Sequence, residues 1–247
     1  MLLRKWDFLP DFMQNEAIRP YYDTLSKHQA GLVIKRLVDI AFSLILLLVL
    51  WPVMLILALC IKLETKGPVI FKQERITAYG QKFKIYKFRT MVYNADKIGG
   101  QVTIDGDRRI TKVGRLLRRS RLDELPQLIN ILKGEMSFVG TRPEVEKYVA
   151  YYTEEMMATL LLPAGVTSEA SILFKDESQI LNSAERVDEI YVSKILPQKM
   201  YYSLEAIRYF CITRELKTMF KTVLAVLGIL KTKWDIRYKT ETLTERR

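Results

Sequence analysis

One uninterrupted apolar run dominates the hydrophobic pattern: from Ile40 to Ile61, 22 residues, every position is apolar except Ser43. As a straight helix these residues extend ~33 Å, against ~30 Å for a bilayer hydrocarbon core. A run of this length without one charge is a poor fit to a buried soluble helix. It is also a poor fit to a cleaved signal, because 39 residues precede it and it outlasts a usual signal core. Leu57-Ala58-Leu59-Cys60 puts leucine where a lipoprotein cleavage site needs a small residue. Pro52 falls near the middle, where a missing backbone donor and a ring clash bend a helix. Each arm then measures ~15 to 18 Å, enough to enter one leaflet and return. Lys27, Lys35 and Arg36 precede the run, and Lys62, Lys66, Lys72 and Arg75 follow it. This near balance marks neither end as external, so both read as cytoplasmic. A kinked helix that spans the bilayer is the alternative.

Beyond the run the periods shorten. Lys66-Gly67-Pro68 is a turn signal; Val69–Phe71 and Lys82–Phe88 read as strands, closed into a hairpin at Tyr79-Gly80, with Lys82 and Lys84 on the outer face. Asn94 to Asp107 reads as a polar loop. Leu125, Leu128, Ile129 and Leu132 form one helical face that ends at Lys133-Gly134, with Pro126 in the first turn. Met136–Val139 is a short strand leading into the turn Gly140-Thr141-Arg142-Pro143. Glu144 to Leu162 reads as a helix, broken at Ala164-Gly165. Met219 to Leu230 is apolar apart from Lys221 and Thr222 and too short to span. It lies on the membrane, packs on the anchor or serves as a core helix.

Charge sharpens this picture. The formal net charge is +11, which points to an anionic partner: nucleic acid, lipid headgroups or a phosphorylated substrate. The excess is local, since Met1–Ile34 holds four basic and four acidic residues while Lys62–Lys147 holds nineteen against ten. Arg108–Arg121 carries seven Lys/Arg, no acid and no aromatic. Seven uncompensated positives imply that an anion is held there, and nucleic-acid binding would interleave aromatics, so nucleic acid is not expected. Two cysteines, Cys60 and Cys211, exclude a disulfide framework. The lone histidine, His28, excludes a His-based zinc site and reads as a partly exposed helix residue. Asp123-Glu124 directly follows the basic run. At a helix start these carboxylates are either ordinary caps or, ionised at the positive end of the dipole, groups able to attack or to hold a cation. Arg142 is placed to meet a phosphate in two-pronged fashion.

Lys87-Phe88-Arg89-Thr90-Met91, Leu122-Asp123-Glu124-Leu125-Pro126-Gln127-Leu128 and Asn130 to Gly140, in that order after one apolar segment, closely resemble the bacterial sugar transferases called monotopic phosphoglycosyl transferases. The resemblance runs from about Lys35 to Leu230. It implies an α+β, helix-rich monotopic membrane enzyme with a re-entrant membrane helix, a small β-hairpin and amphipathic interfacial helices. It divides the chain into an N-terminal extension (1–34), the membrane helix (35–62), a cytoplasmic catalytic domain (63–234) and a tail (235–247). It further implies transfer of a sugar-1-phosphate from a UDP-sugar to undecaprenyl phosphate at the cytoplasmic face of the inner membrane, with membrane lipid as surroundings and self-association left open. Asp123 takes the nucleophile position, Glu124 that of its partner carboxylate, and Mg²⁺ sits beside the pair. Arg118, Arg142, Pro143 and Arg89 take the positions that meet substrate phosphate and nucleotide. Three departures stand out: Trp51-Pro52 replaces the Ser-Pro of the membrane bend, Thr141 replaces the first proline of Gly-Pro-Arg-Pro, and Pro163-Ala164-Gly165-Val166-Thr167 displaces the proline of Pro-Gly-Ile-Thr by one residue.

Overall fold

In the structure, a computed structural model, residues 3–95, 107–174 and 187–230 are described; most of the expected Asn94–Asp107 loop and the tail from 235 lie outside them. Helix α1 (Arg19–Lys27) precedes α2 (Gln29–Glu64), a 36-residue helix that contains the whole apolar run. The helical assignment continues across Pro52, so the proline sits inside one helix. Leu44, Ile45, Leu48, Val49, Trp51, Leu55, Ile56 and Leu59 are all exposed along it. So large an apolar surface is stable in lipid and not in water.

The N-terminal part of α2 is fastened to the body by polar groups. Lys35, Asp39 and Ser43 recur every fourth residue and so share one face, which is buried. Lys35 Nζ donates to the Val139 carbonyl at 2.7 Å and pairs with Glu215. Asp39 accepts the Phe138 amide at 3.0 Å. Arg36 donates to the Ile131 and Leu132 carbonyls at 2.6 and 2.8 Å, satisfying acceptors that the end of a helix leaves open.

Strands β1 (Ile70–Ile76) and β2 (Lys82–Phe88) form the expected antiparallel hairpin, in register Ile70 to Phe88. Its tip is Ala78–Gly80, where Tyr79 and Gly80 both take positive φ. Lys82 and Lys84 are exposed while Phe83 and Ile85 are buried. Helix α3 (Lys112–Ser120) is capped by Thr111, whose hydroxyl accepts the Gly114 amide at 2.9 Å. Helix α4 (Gln127–Lys133) ends at Gly134, φ 83°. Buried Asn130 ties α4 to the hairpin by accepting from the Tyr86 amide at 3.0 Å and donating to the Lys84 carbonyl at 2.9 Å.

Strand β3 (Met136–Val139) pairs in parallel with β4 (Ala164–Thr167), a strand the sequence pattern did not announce. The segment 144–162 is a correction to the expected single helix. It holds α5 (Glu146–Val149), a turn, and a 3₁₀ stretch at Met156–Leu161. Tyr148 and Tyr152 enter one apolar cluster with Phe174 and Leu196. Ala158, Leu160 and Leu161 enter another, with Leu25 and Leu204. One straight helix cannot serve both. After α6 (Glu169–Leu173), α7 (Val187–Ile190) runs through a π turn at Tyr191–Ile195 into α8 (Leu196–Arg208).

Helix α9 (Ile212–Val226) carries most of the C-terminal apolar segment. It packs on α2 through Glu215 and leaves Leu216, Phe220, Val223 and Val226 exposed. The N-terminal extension is an integral part of the core: Leu9, Met13, Ile18, Tyr21 and Leu25 pack with Tyr79, Leu161 and Phe210. His28 is an exposed helix-end residue, its Nδ1 2.8 Å from the Thr24 carbonyl.

Candidate active site

Three elements meet at Asp123-Glu124. The pair stands in its own 3₁₀ turn, Leu122–Glu124, entered through Arg121 at φ 58°. It therefore precedes α4 instead of capping it, a correction to the expected helix-start placement. Glu124 Oε1 accepts from Lys87 Nζ at 2.9 Å and from Arg142 Nη2 at 2.7 Å. Lys87 comes from the end of β2, and Arg142 from the irregular segment after β3. One carboxylate thus gathers two cations at the junction of hairpin, turn and loop.

Burial, the largest single influence, would raise the Glu124 carboxyl; the charges and hydrogen bonds of Arg142 and Lys87 together outweigh it and hold it well below the usual carboxylate range. Asp123 differs. Burial, then the neighbouring Glu124 charge, push its carboxyl up against the opposing pull of Lys87, Arg118 and Arg121. Asp123 is 7% exposed, and its Oδ1 has no hydrogen-bond partner. A buried carboxylate oxygen without a partner is uncommon and marks a place where a ligand atom fits. Arg118, on α3, is depressed by burial and sustained by the charges of Asp123 and Asp107.

Of the predicted residues, the structure joins Asp123, Glu124, Arg118 and Arg142 into one charge cluster. Pro143 adjoins it, its carbonyl accepting from Arg75 Nη1 at 3.2 Å. Arg89 goes elsewhere: its Nη2 donates to the Thr65 carbonyl and hydroxyl, both at 2.8 Å, at the foot of α2. Trp51 and Pro52 belong to the membrane helix. Lys87 is the functional residue that sequence reasoning missed, although a signal existed. In β2 it is in phase with buried Phe83 and Ile85, so its charge points inward. Gln127 was also missed; it is 1% exposed, one helical turn beyond Asp123, and neither of its amide atoms has a partner.

Asp123 and Glu124 suit a hard divalent cation in donor type. Among the described residues there is no group of three or more His, Cys, Asp or Glu. A Mg²⁺ ion here would therefore rely on one or two carboxylates, with water and substrate phosphate supplying the rest, which is its common mode.

Known proteins carry the same arrangement of sequence. A relative from Aeromonas hydrophila, a UDP-N-acetylgalactosamine-undecaprenyl-phosphate N-acetylgalactosaminephosphotransferase, is 35% identical over 197 residues, covering 78% of this chain and 44% of its own. Two UDP-glucose:undecaprenyl-phosphate glucose-1-phosphate transferases are similar. The one from Escherichia coli is 36% identical over 216 residues, covering 85% of this chain and 44% of its own. The one from Caulobacter vibrioides is 34% identical over 196 residues, covering 78% and 69%. The chain thus spans less than half the length of the first two. The family described as bacterial sugar transferase matches residues 30–228, a span that takes in α2, the hairpin and every member of the Asp123 cluster; the chain belongs to that family.

Proposed function

We propose that this chain transfers a sugar-1-phosphate from a UDP-sugar to undecaprenyl phosphate through a phospho-sugar held covalently on Asp123, working at the cytoplasmic face of the bacterial inner membrane. The observation that carries this reading is the division of labour in the pair: Glu124 is occupied by two cations, while Asp123 keeps an unpartnered oxygen beside them. In the first step that oxygen attacks the sugar-proximal phosphorus, the bond to the bridging oxygen breaks, and UMP departs with the electron pair. In the second, a phosphate oxygen of undecaprenyl phosphate attacks the same phosphorus and Asp123 is released as carboxylate. Arg142 and Arg118 neutralise charge on the transferring and leaving oxygens, and Lys87 with Glu124 keeps Arg142 in place. Asp123 and Glu124 would hold Mg²⁺, which when bound offsets the pyrophosphate charge. The relatives are named for both N-acetylgalactosamine and glucose, so the sugar is to be found by assay. Purified chain in nanodiscs with undecaprenyl phosphate, given a panel of UDP-hexoses and UDP-N-acetylhexosamines, is expected to release UMP from at least one. Silence across the panel sinks the reading.

For α2 we infer a re-entrant path. Its basic flanks are matched, and its N-terminal part is bolted to the body by Lys35, Arg36 and Asp39. Single cysteines at Lys27→Cys and Lys66→Cys, with Cys60 and Cys211 replaced by serine, report the path. In spheroplasts an impermeant maleimide should label neither until the membrane is opened. Labelling of one site from outside would establish a spanning helix instead.

A further inference from the structure

Segment 140–145, which presents Arg142, belongs to no helix or strand, and on one side it borders a small recess lined by Thr141, Arg142, Glu144 and Tyr152 among others. Val145 anchors one end of it in an apolar cluster with Tyr148 and Tyr191. Thr141 lacks the ring that would fix φ at that position. The rest of the segment is held by polar contacts. Arg75 Nη1 donates to the Pro143 carbonyl at 3.2 Å, and the Ile76 amide donates to the Glu144 carbonyl at 3.0 Å.

The Glu144 side chain is buried, 6% exposed, and its charge faces the Arg75 guanidinium, whose Nε and Nη2 also donate to Gln73 Oε1 at 3.2 and 2.7 Å. Its Oε2 lies 3.8 Å from Arg75 Nη1. Its Oε1 accepts from the Tyr191 hydroxyl at 2.6 Å and lies 3.5 Å from Lys199 Nζ, which itself donates to the Tyr191 oxygen at 3.0 Å. Tyr191 opens the π turn between α7 and α8. Such turns recur at functional sites. The cluster is charged, buried and touches neither Asp123 nor Glu124, so the transfer chemistry leaves it unexplained.

We propose that Glu144, gripped by Tyr191 and Lys199, is the positioning residue that aims Arg142 at the reacting phosphates by fixing Arg75 beneath the Pro143 carbonyl. This rests on the transfer reading given above. A misplacement of about 1 Å in a phosphate-binding cation lowers turnover on the order of 100-fold. Glu144→Gln, which keeps the acceptor and loses the charge, is expected to lower kcat/KM for the UDP-sugar about 10- to 100-fold, with kcat taking most of the loss.

The decisive measurement is a double-mutant cycle with Arg142→Ala in the full chain. If Glu144 acts through Arg142, Glu144→Gln has no further effect in the Arg142→Ala background; additive losses would assign Glu144 a purely structural role and overturn the proposal. Tyr191→Phe, which removes one hydroxyl and keeps the ring, carries the same cycle if Glu144→Gln does not fold. Hydrogen exchange gives a readout independent of turnover. The Ile76 and Gly165 amides, which donate to the Glu144 and Thr141 carbonyls, should exchange about tenfold faster in Tyr191→Phe than in wild type. Unchanged exchange at both overturns the tether. If the wild type releases no UMP from any sugar, the transfer reading alone fails, and the exchange result still decides whether the network holds the segment.

Discussion

Asp123→Asn is expected to abolish UMP release, a loss of at least about 10³-fold, while leaving the protein folded. An amide is nearly the same shape as a carboxylate, so the buried site at the turn Leu122–Glu124 accepts it. It carries no charge and no lone pair of comparable nucleophilicity, so the bond to phosphorus does not form. The substitution also removes the repulsion between Asp123 and Glu124, one of the influences that raises the Asp123 carboxyl. The melting temperature should accordingly stay level or rise. A UDP-sugar labelled in its sugar-proximal phosphate, supplied without lipid acceptor, should label the wild type and leave the variant unlabelled. Added undecaprenyl phosphate should then move the label into lipid. Label that persists in the variant places the nucleophile elsewhere.

How much of this could be read from the chain depends on whether a signal is local. The hairpin was legible because strand alternation and the Tyr79-Gly80 turn lie within twenty residues, and α4 because Gly134 supplies the positive φ that stops it. β4 was not legible: Ala164-Gly165 looks like a break, and only the pairing with Met136–Val139 makes it a strand. The Gly140–Gly165 approach explains the glycines, since a Cβ on Gly165 would stand 2.2 Å from the Gly140 nitrogen. The helix expected over 144–162 failed because its apolar residues serve two clusters, which periodicity cannot reveal. The N-terminal extension shows the same limit, as Met13 and Leu25 find their partners more than a hundred residues away, at Leu161 and Leu204. At the site, Asp123, Glu124, Arg118 and Arg142 were named from motifs. Arg89 was placed with them because it shares a motif with Lys87, yet it lies one residue past the end of β2, where strand alternation no longer sets its direction, and Thr65 holds its guanidinium at the end of α2, so it is Lys87 that reaches Glu124.

That exchange of roles makes Glu124 the residue whose loss does the widest damage. Glu124→Ala leaves the Lys87 ammonium and the Arg142 guanidinium facing each other without the carboxylate that both now touch at 2.9 and 2.7 Å. Removing one member of a buried ion pair costs up to about 3–5 kcal/mol, and here less, because the two remaining cations repel but are partly exposed and Arg142 can turn to water. Turnover should fall about 10²- to 10³-fold as well, since Arg142 is then drawn toward water and away from the leaving oxygens. Stability and chemistry can be separated. The pair Glu124→Leu with Lys87→Met replaces the Lys87–Glu124 ion pair with apolar groups of similar volume, a change that is often neutral or better for folding. Its melting temperature should exceed that of Glu124→Ala, while UMP release stays as low. Recovery of activity in that double variant would show that Glu124 serves only to fill and neutralise the site; recovery of stability without activity would show that aiming Arg142 requires the carboxylate itself.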